Sequence, residues 1–247
     1  MRLLNVFLVI LLSALTSAAM ANCQSVAKLV AFEGQVSIKP NSKVLKTSPG
    51  ALPRSLCAGD EIHTLEGRAL INDGRFSVAV DHFSMAIFTG VGKAELNKGQ
   101  ALFEVRKRTA QKGVEVKTRL SVIGVKGTRF LVGDKETGVS VVLDQGVVDI
   151  TSTQGPVGLY RETTTSKPVE EDFESYARRH AEGVASEKSA FEQYKSEVQR
   201  EFVAYVESLT LEAGKELVTQ GRIAVERKIS SDAAKSIRSL RAWQDKN

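Results

Sequence analysis

The sequence predicts an α+β chain: an all-β body of many short strands followed by an all-α C-terminal extension. Two observations carry that expectation. Short apolar runs punctuated by glycine fill the first two thirds, and a proline-free stretch with apolar residues at helical spacing fills the last third. The average composition (247 residues, 42% hydrophobic, 26% charged, net charge +5) excludes a disordered chain. It also conceals three unlike parts. Residues 1–21 hold one charge, Arg2; residues 22–168 hold 20 Lys+Arg, 14 Asp+Glu, 16 glycines and all five prolines; residues 169–247 hold 13 Lys+Arg, 15 Asp+Glu and three glycines. The expected division is therefore 1–21, 22–168 and 169–247.

Arg2, the apolar stretch through Leu12 and the small residues ending in Ala19-Met20-Ala21 follow the pattern of a secretory signal peptide, with cleavage expected after Ala21. The competing reading is an uncleaved anchor, but the apolar core is shorter than the ~20 residues that a span requires. Lipidation at Cys23 is disfavoured because no small residue directly precedes it. A soluble, periplasmic protein is expected, with no stable membrane span after cleavage. In an oxidising compartment Cys23 and Cys57 should form one disulfide, closing a loop that contributes roughly 4 kcal/mol. Free buried thiols are the alternative. His63, His82 and His180 are scattered, and no metal site or cofactor is expected.

In the body, strands are expected at residues 36–38, 69–71, 76–80, 85–88, 101–105, 114–116, 130–132, 139–143 and 147–150. Asp73-Gly74 between two alternating runs is a hairpin signal, since a tight turn with positive φ tolerates these residues best. Strands so closely spaced indicate an all-β body rather than βαβ units.

Five ordered motifs over residues 30–152 resemble the FecR domain. Gly59-Asp60-Glu61-Ile62-His63-Thr64 is similar to its GDxIxT signature, and Asn72-Asp73-Gly74 to its turn. Gly99-Gln100-Ala101-Leu102-Phe103-Glu104-Val105 is similar to its glycine-led strand. Val114-Glu115-Val116-Lys117-Thr118 with Val125-Lys126-Gly127-Thr128-Arg129-Phe130 resembles its V-x-T…G-T-x-F element. Val139-Ser140-Val141 with Asp144-Gln145-Gly146-Val147-Val148 resembles its closing pair. The resemblance implies a twisted solenoid or barrel-like β-domain. Most of these residues are read as structural: Gly59 and Asp60 as a turn, Gly127 and Thr128 as a device that aims Phe130 into the core. The regulators that name the family carry a cytoplasmic anti-sigma segment and a transmembrane helix before this domain. This sequence is expected to represent a stand-alone, exported branch, so iron-transport signalling is not carried over.

Residues 169–247 are expected to be helical. Phe173, Tyr176, Ala177 and His180 share one helical face; Phe191, Tyr194, Val198, Phe202, Tyr205, Leu209, Ala213 and Leu217 step by three and four. Ser230-Ser231-Asp232 offers an N-cap for a last helix carrying Ile237, Leu240 and Trp243. The aromatic stripe, Phe191 to Leu209, either packs as core or docks a partner or a second copy; membrane-surface binding is disfavoured by interleaved acids.

No nucleophile elbow, zinc-protease motif, P-loop or dinucleotide fingerprint occurs, and a hydrolase would need His63 or His82 to meet a carboxylate and a nucleophile in the fold. Arg106, Lys107, Arg108 and Lys112 form a basic run that could hold an anionic polymer, with Lys117, Arg119, Lys126 and Arg129 nearby; its bland reading is a solvated loop. Export argues against nucleic acid. The function expected from sequence is a non-enzymatic envelope binding module, in signalling among other roles, for an unidentified protein or ligand. The alternative is a structural protein that holds anionic cell-wall or outer-membrane polymer through its basic head.

Overall fold

A computed structural model describes residues 23–106, 113–125, 127–162 and 200–247. The expected signal peptide, Lys107, Arg108, Lys112, Lys126 and the first part of the tail, including Phe173, His180, Phe191, Tyr194 and Val198, lie outside these residues, as does the 168/169 boundary.

Among the described residues, twelve strands precede the tail. They are β1 (Ser25–Lys39), β2 (Arg54–Cys57), β3 (Asp60–Asn72), β4 (Phe76–Val80), β5 (Met85–Gly90), β6 (Lys93–Val105), β7 (Val114–Lys117), β8 (Ser121–Val125), β9 (Arg129–Lys135), β10 (Gly138–Gln145), β11 (Val147–Ser152) and β12 (Val157–Glu162). Every strand expected in the body is present. Three of them, β1, β3 and β6, run for 15, 13 and 13 residues rather than being short. Each joins two parts of the sheet. The first residues of β3 pair with β5 and its last with β4. β6 pairs with β5 and β7 at its start and with β4 and β9 at its end.

The long strands turn where glycines permit close contact. Gly34 and Gly67 face each other across β1 and β3, at a shift in register. A Cβ on Gly34 would lie 2.1 Å from the Glu66 carbonyl oxygen, and one on Gly67 would lie 2.4 Å from that of Glu33. Gly99 (φ 87°) does the same within β6, where a Cβ would fall 2.1 Å from Ser84 Oγ. Neither site admits a side chain without moving backbone.

The strands enclose one large core. Phe76, Phe88, Phe103 and Phe130 are buried and form a chain of ring contacts, with centroids 6.5, 6.1 and 5.2 Å apart. Alternate residues Ala69, Ile71, Val78, Ala101, Val132, Val141 and Leu143 point into the same core. Their neighbours Leu70, Ala79, Leu102, Leu131 and Val142 face the opposite way and are buried too. What covers them is α1 (Ser231–Gln244), through Ala233, Ile237, Leu240 and Trp243. Ser230 caps this helix, its hydroxyl oxygen accepting from the Ala233 amide at 3.4 Å, as its sequence indicates. Burial on both faces explains why the strands read as unbroken apolar runs.

The tail requires a correction. Residues 200–228 are strands, not helix: β13 (Arg200–Val206), β14 (Ser208–Glu212), β15 (Lys215–Gln220) and β16 (Ile223–Lys228). They belong to the same sheet as the body, with β13 on β12, β14 on β11, β15 on β10 and β16 parallel to β12. Leu211, Leu217 and Ala224 enter the main core. The three-and-four spacing misled because it ran across Gly214, which sits at the turn into β15 with φ of 84°; Gly221, with φ of 54°, makes the next turn, into β16. The segment is also dense in Val, Thr, Ile, Phe and Tyr, which favour strands.

Glu216 ties the last helix to the sheet. Its buried carboxylate accepts from the Ser230 amide at 3.0 Å and from Arg227 at 3.3 Å. At the opposite end of the chain, Cys23 and Cys57 form the expected disulfide, with Cα atoms 5.4 Å apart. It fixes the start of β1 to the end of β2.

Two outcomes follow. Leu240→Ala should lower unfolding free energy by about 2–4 kcal/mol in denaturant titration, since the fully buried side chain leaves a cavity between α1 and the sheet. Cys57→Ser should cost roughly 4 kcal/mol by the same measurement, and the wild-type protein should resist thiol alkylation until it is reduced.

Candidate functional site

The motif residues occupy turns and core positions. The Asp60 carboxylate is buried and accepts from the amides of Cys57 (2.9 Å) and Asn41 (3.0 Å), closing the turn at Gly59. Ile62 is fully buried. Thr64 Oγ1 accepts from the Ser84 amide at 2.9 Å and donates to the Asp81 carbonyl. Asp73 accepts from the amides of Arg75 and Phe76 (2.7 and 2.8 Å) through one oxygen and of Gly92 (2.6 Å) through the other, with Gly74 at φ 84° in the turn. Gly146 packs against Thr128, whose carbonyl accepts from Val105. Phe103 and Phe130 stack in the core, one residue beyond the stretch Gly127-Thr128-Arg129 in the latter case. A shallow concavity of about 410 Å³ borders Ser25, Lys28, Asn72 and Asp73, but the Asp73 carboxylate is already committed to backbone amides.

The titratable side chains are dispersed. His63 Nε2 lies 2.9 Å from Glu61 Oε2, and His82 is 3.7 Å from Asp81. Among the described residues, no group of three His, Cys, Asp or Glu side chains is arranged to hold a metal. The basic cluster is partly neutralised: Arg119 pairs with Asp134 at 2.6 Å and Arg129 with Asp144 at 2.6 Å. Arg106 is exposed, its amide bonded to the Arg75 carbonyl.

The best candidate for recognition is at the end of the sheet. In the described strand order β13 is terminal and pairs with β12 alone. Phe202, Val203 and Tyr205 are 47%, 42% and 76% exposed. Phe202 and Tyr205 are three apart and would face opposite ways in a regular strand. Their register partners are Tyr160 and Gly158, which share a face, and the shift occurs between the Phe202 and Ala204 pairings. Val203 is thus the extra residue of a bulge that turns both rings to one side. The result is a row of rings: Tyr160–Phe202 with centroids at 5.4 Å and Phe202–Tyr205 at 5.3 Å, both edge-on. Gly158 lies beneath, 3.3 Å from Tyr160 and 3.7 Å from Tyr205 as measured from its Cβ position.

Sequence reasoning selected Phe202 and Tyr205 for the wrong reason, helical spacing, and missed Tyr160 and Gly158. The signal for the latter pair is local: Val157 and Leu159 are apolar and buried in the core, so the alternation of β12 places Gly158 and Tyr160 together on its other face. Leu209, included in the same expected stripe, is half-buried and packs against the core in β14. It does not join the ring row.

Glu61 lies between Lys39 and His63. Its bond from Lys39 (2.6 Å) is the main reason that Glu61 ionises below the usual carboxylate range, against a smaller opposing effect of burial; His63 adds to the lowering. The folded state thus binds the Glu61 proton less tightly than the unfolded chain. The stability this contributes is complete above the unfolded carboxylate pKa and vanishes as pH falls through the lower folded one. Glu61→Gln should therefore lower Tm at pH 7, and its deficit relative to wild type should close on acidification, as read by thermal melts across pH.

No curated protein matches the chain. Two crystal structures of a protein described as a "putative anti-sigma factor" from Parabacteroides distasonis ATCC 8503 align with it at 11% identity and a TM-score of 0.43. The alignments cover 71% of this chain and 63% and 62% of those chains, so this chain spans less than two thirds of their length. The model of the family described as FecR protein matches residues 88–149, which takes in the glycine-led strand β6 and the elements from β7 into β11. Over that segment the chain is similar to the FecR family.

Proposed function

We propose that this chain is a non-enzymatic, exported FecR-domain protein that serves as a binding module in the cell envelope, in a signalling role. The observation that carries the binding role is β13: a terminal strand whose exposed residues are mostly apolar and whose rings form a continuous row. Terminal strands are usually blunted by charge, proline or short length, because their free amides and carbonyls template pairing with another chain. Here the strand is seven residues long, has no proline, and confines its charges to Arg200 and Glu201. A partner that adds an extended segment along β13 would gain backbone bonds, with its side chains resting on Tyr160, Phe202 and Tyr205. Export is inferred from the Arg2-to-Ala21 pattern and is in keeping with the Cys23–Cys57 bond. The polyanion reading draws less support, because Arg119 and Arg129 are each engaged with a carboxylate.

Affinity capture from an envelope extract tests the binding role. Wild-type protein should recover a defined partner, and Phe202→Glu with Tyr205→Glu should reduce its recovery at least ~10-fold, with unfolding free energy changed by less than about 1 kcal/mol. Equal recovery by the variant would reject β13 as the binding edge.

A further inference from the structure

A second exposed feature, distant in sequence from β13, has a different chemistry. Residues 40–46, Pro-Asn-Ser-Lys-Val-Leu-Lys, project from the end of β1. The loop is closed at its base by two backbone bonds between Ile38 and Thr47, at 2.8 and 2.7 Å. A turn bond from the Lys43 amide to the Pro40 carbonyl (2.9 Å) shapes the tip, and Asp60 anchors the Asn41 amide at 3.0 Å. The loop is therefore held in a defined form. At its tip stand two adjacent aliphatic side chains, Val44 at 89% and Leu45 at 77% exposure.

These two residues are flanked directly by Lys43 and Lys46, both exposed and neither in an ion pair among the described residues. No Asp or Glu occurs from residue 40 to residue 59, while Lys43, Lys46 and Arg54 do. The acids that follow are turned away from solvent partners: Asp60 is buried on backbone amides, and Glu61 is engaged by Lys39 and His63. The loop thus presents an apolar tip inside a purely cationic collar. Aliphatic side chains that enter the acyl boundary while flanking lysines stay at the headgroup level match an anionic phospholipid surface on both counts.

We propose that residues 40–46 are a contact loop for an anionic phospholipid bilayer, with Val44 and Leu45 entering the interface and Lys43 and Lys46 meeting the phosphates. This inference rests on different residues from those of the β13 edge and stands or falls separately from it. Two lysines and two aliphatic side chains give weak, reversible binding rather than insertion.

Vesicle co-sedimentation of the full chain tests it. Vesicles of phosphatidylglycerol mixed with phosphatidylcholine should pellet the wild-type protein at ~10 mM salt and release most of it at ~150 mM, while phosphatidylcholine alone should pellet much less. Lys43→Gln with Lys46→Gln should weaken binding ~10-fold or more, and Val44→Ser with Leu45→Ser should do the same with less change in salt dependence. Because all four side chains are exposed, each variant should keep the wild-type circular dichroism spectrum and melting point. No pelleting with anionic vesicles at low salt would overturn the proposal, as would pelleting that both variants retain in full. Capture of the loop by immobilised polyglutamate without vesicle binding would also overturn it, assigning the collar to an acidic peptide.

Discussion

The close approach of backbone to backbone at Gly34 and Gly67, repeated as backbone against Ser84 at Gly99, is the constraint on which the rest of the fold depends. A strand serves two layers only if it bends, and a bend of this tightness brings main chains within the space a Cβ would fill. Because β3 and β6 bend, one stretch of each pairs with β5 and another with β4 or, for β6, β9, while β1 follows β3 along its length. The core of phenylalanines is what lies between those arms. A side chain at either crossing would force the layers apart and expose the very rings that stabilise them.

The second organising element is the use of both sheet faces. Residues on one side of β3, β4, β6, β9 and β10 build the main core, and those on the other side build a smaller one under α1. Glu216, buried in β15, holds the amide of the helix cap and so sets where α1 begins. The helix at the C-terminal end thus completes the fold begun by the first strands, and Arg68 of β3 and Ser77 of β4 reach it through Ser239 and Gln244.

Much of this was legible in the sequence wherever a local rule governed. The Asp73-Gly74 turn, the body strands, the Ser230 cap and the buried stripe of Ile237, Leu240 and Trp243 all follow from short-range chemistry. The disulfide followed from the count of cysteines and the apparent export signal. What sequence could not supply was long-range choice. Residues 200–228 carry a spacing compatible with helix, but their decisive property is the open edge offered by β10, β11 and β12. The ring row at Tyr160, Phe202 and Tyr205 depends on a bulge, which is a property of a pairing rather than of a residue. Likewise, the unbroken runs at residues 101–103 and 130–132 signal a strand covered twice, yet they do not say by what.

The pairing of β12 with β13 carries a further consequence. Glu162 and Arg200 are register partners, so the chain departs from and returns to the sheet at one point. Because the entropy of closing a loop grows only slowly with its length, the pairing of Glu162 with Arg200 depends little on the number of residues between them. The register of β12 on β13 is thus set by the two strands themselves, and the sequence that joins them can change in length at little cost to the pairing.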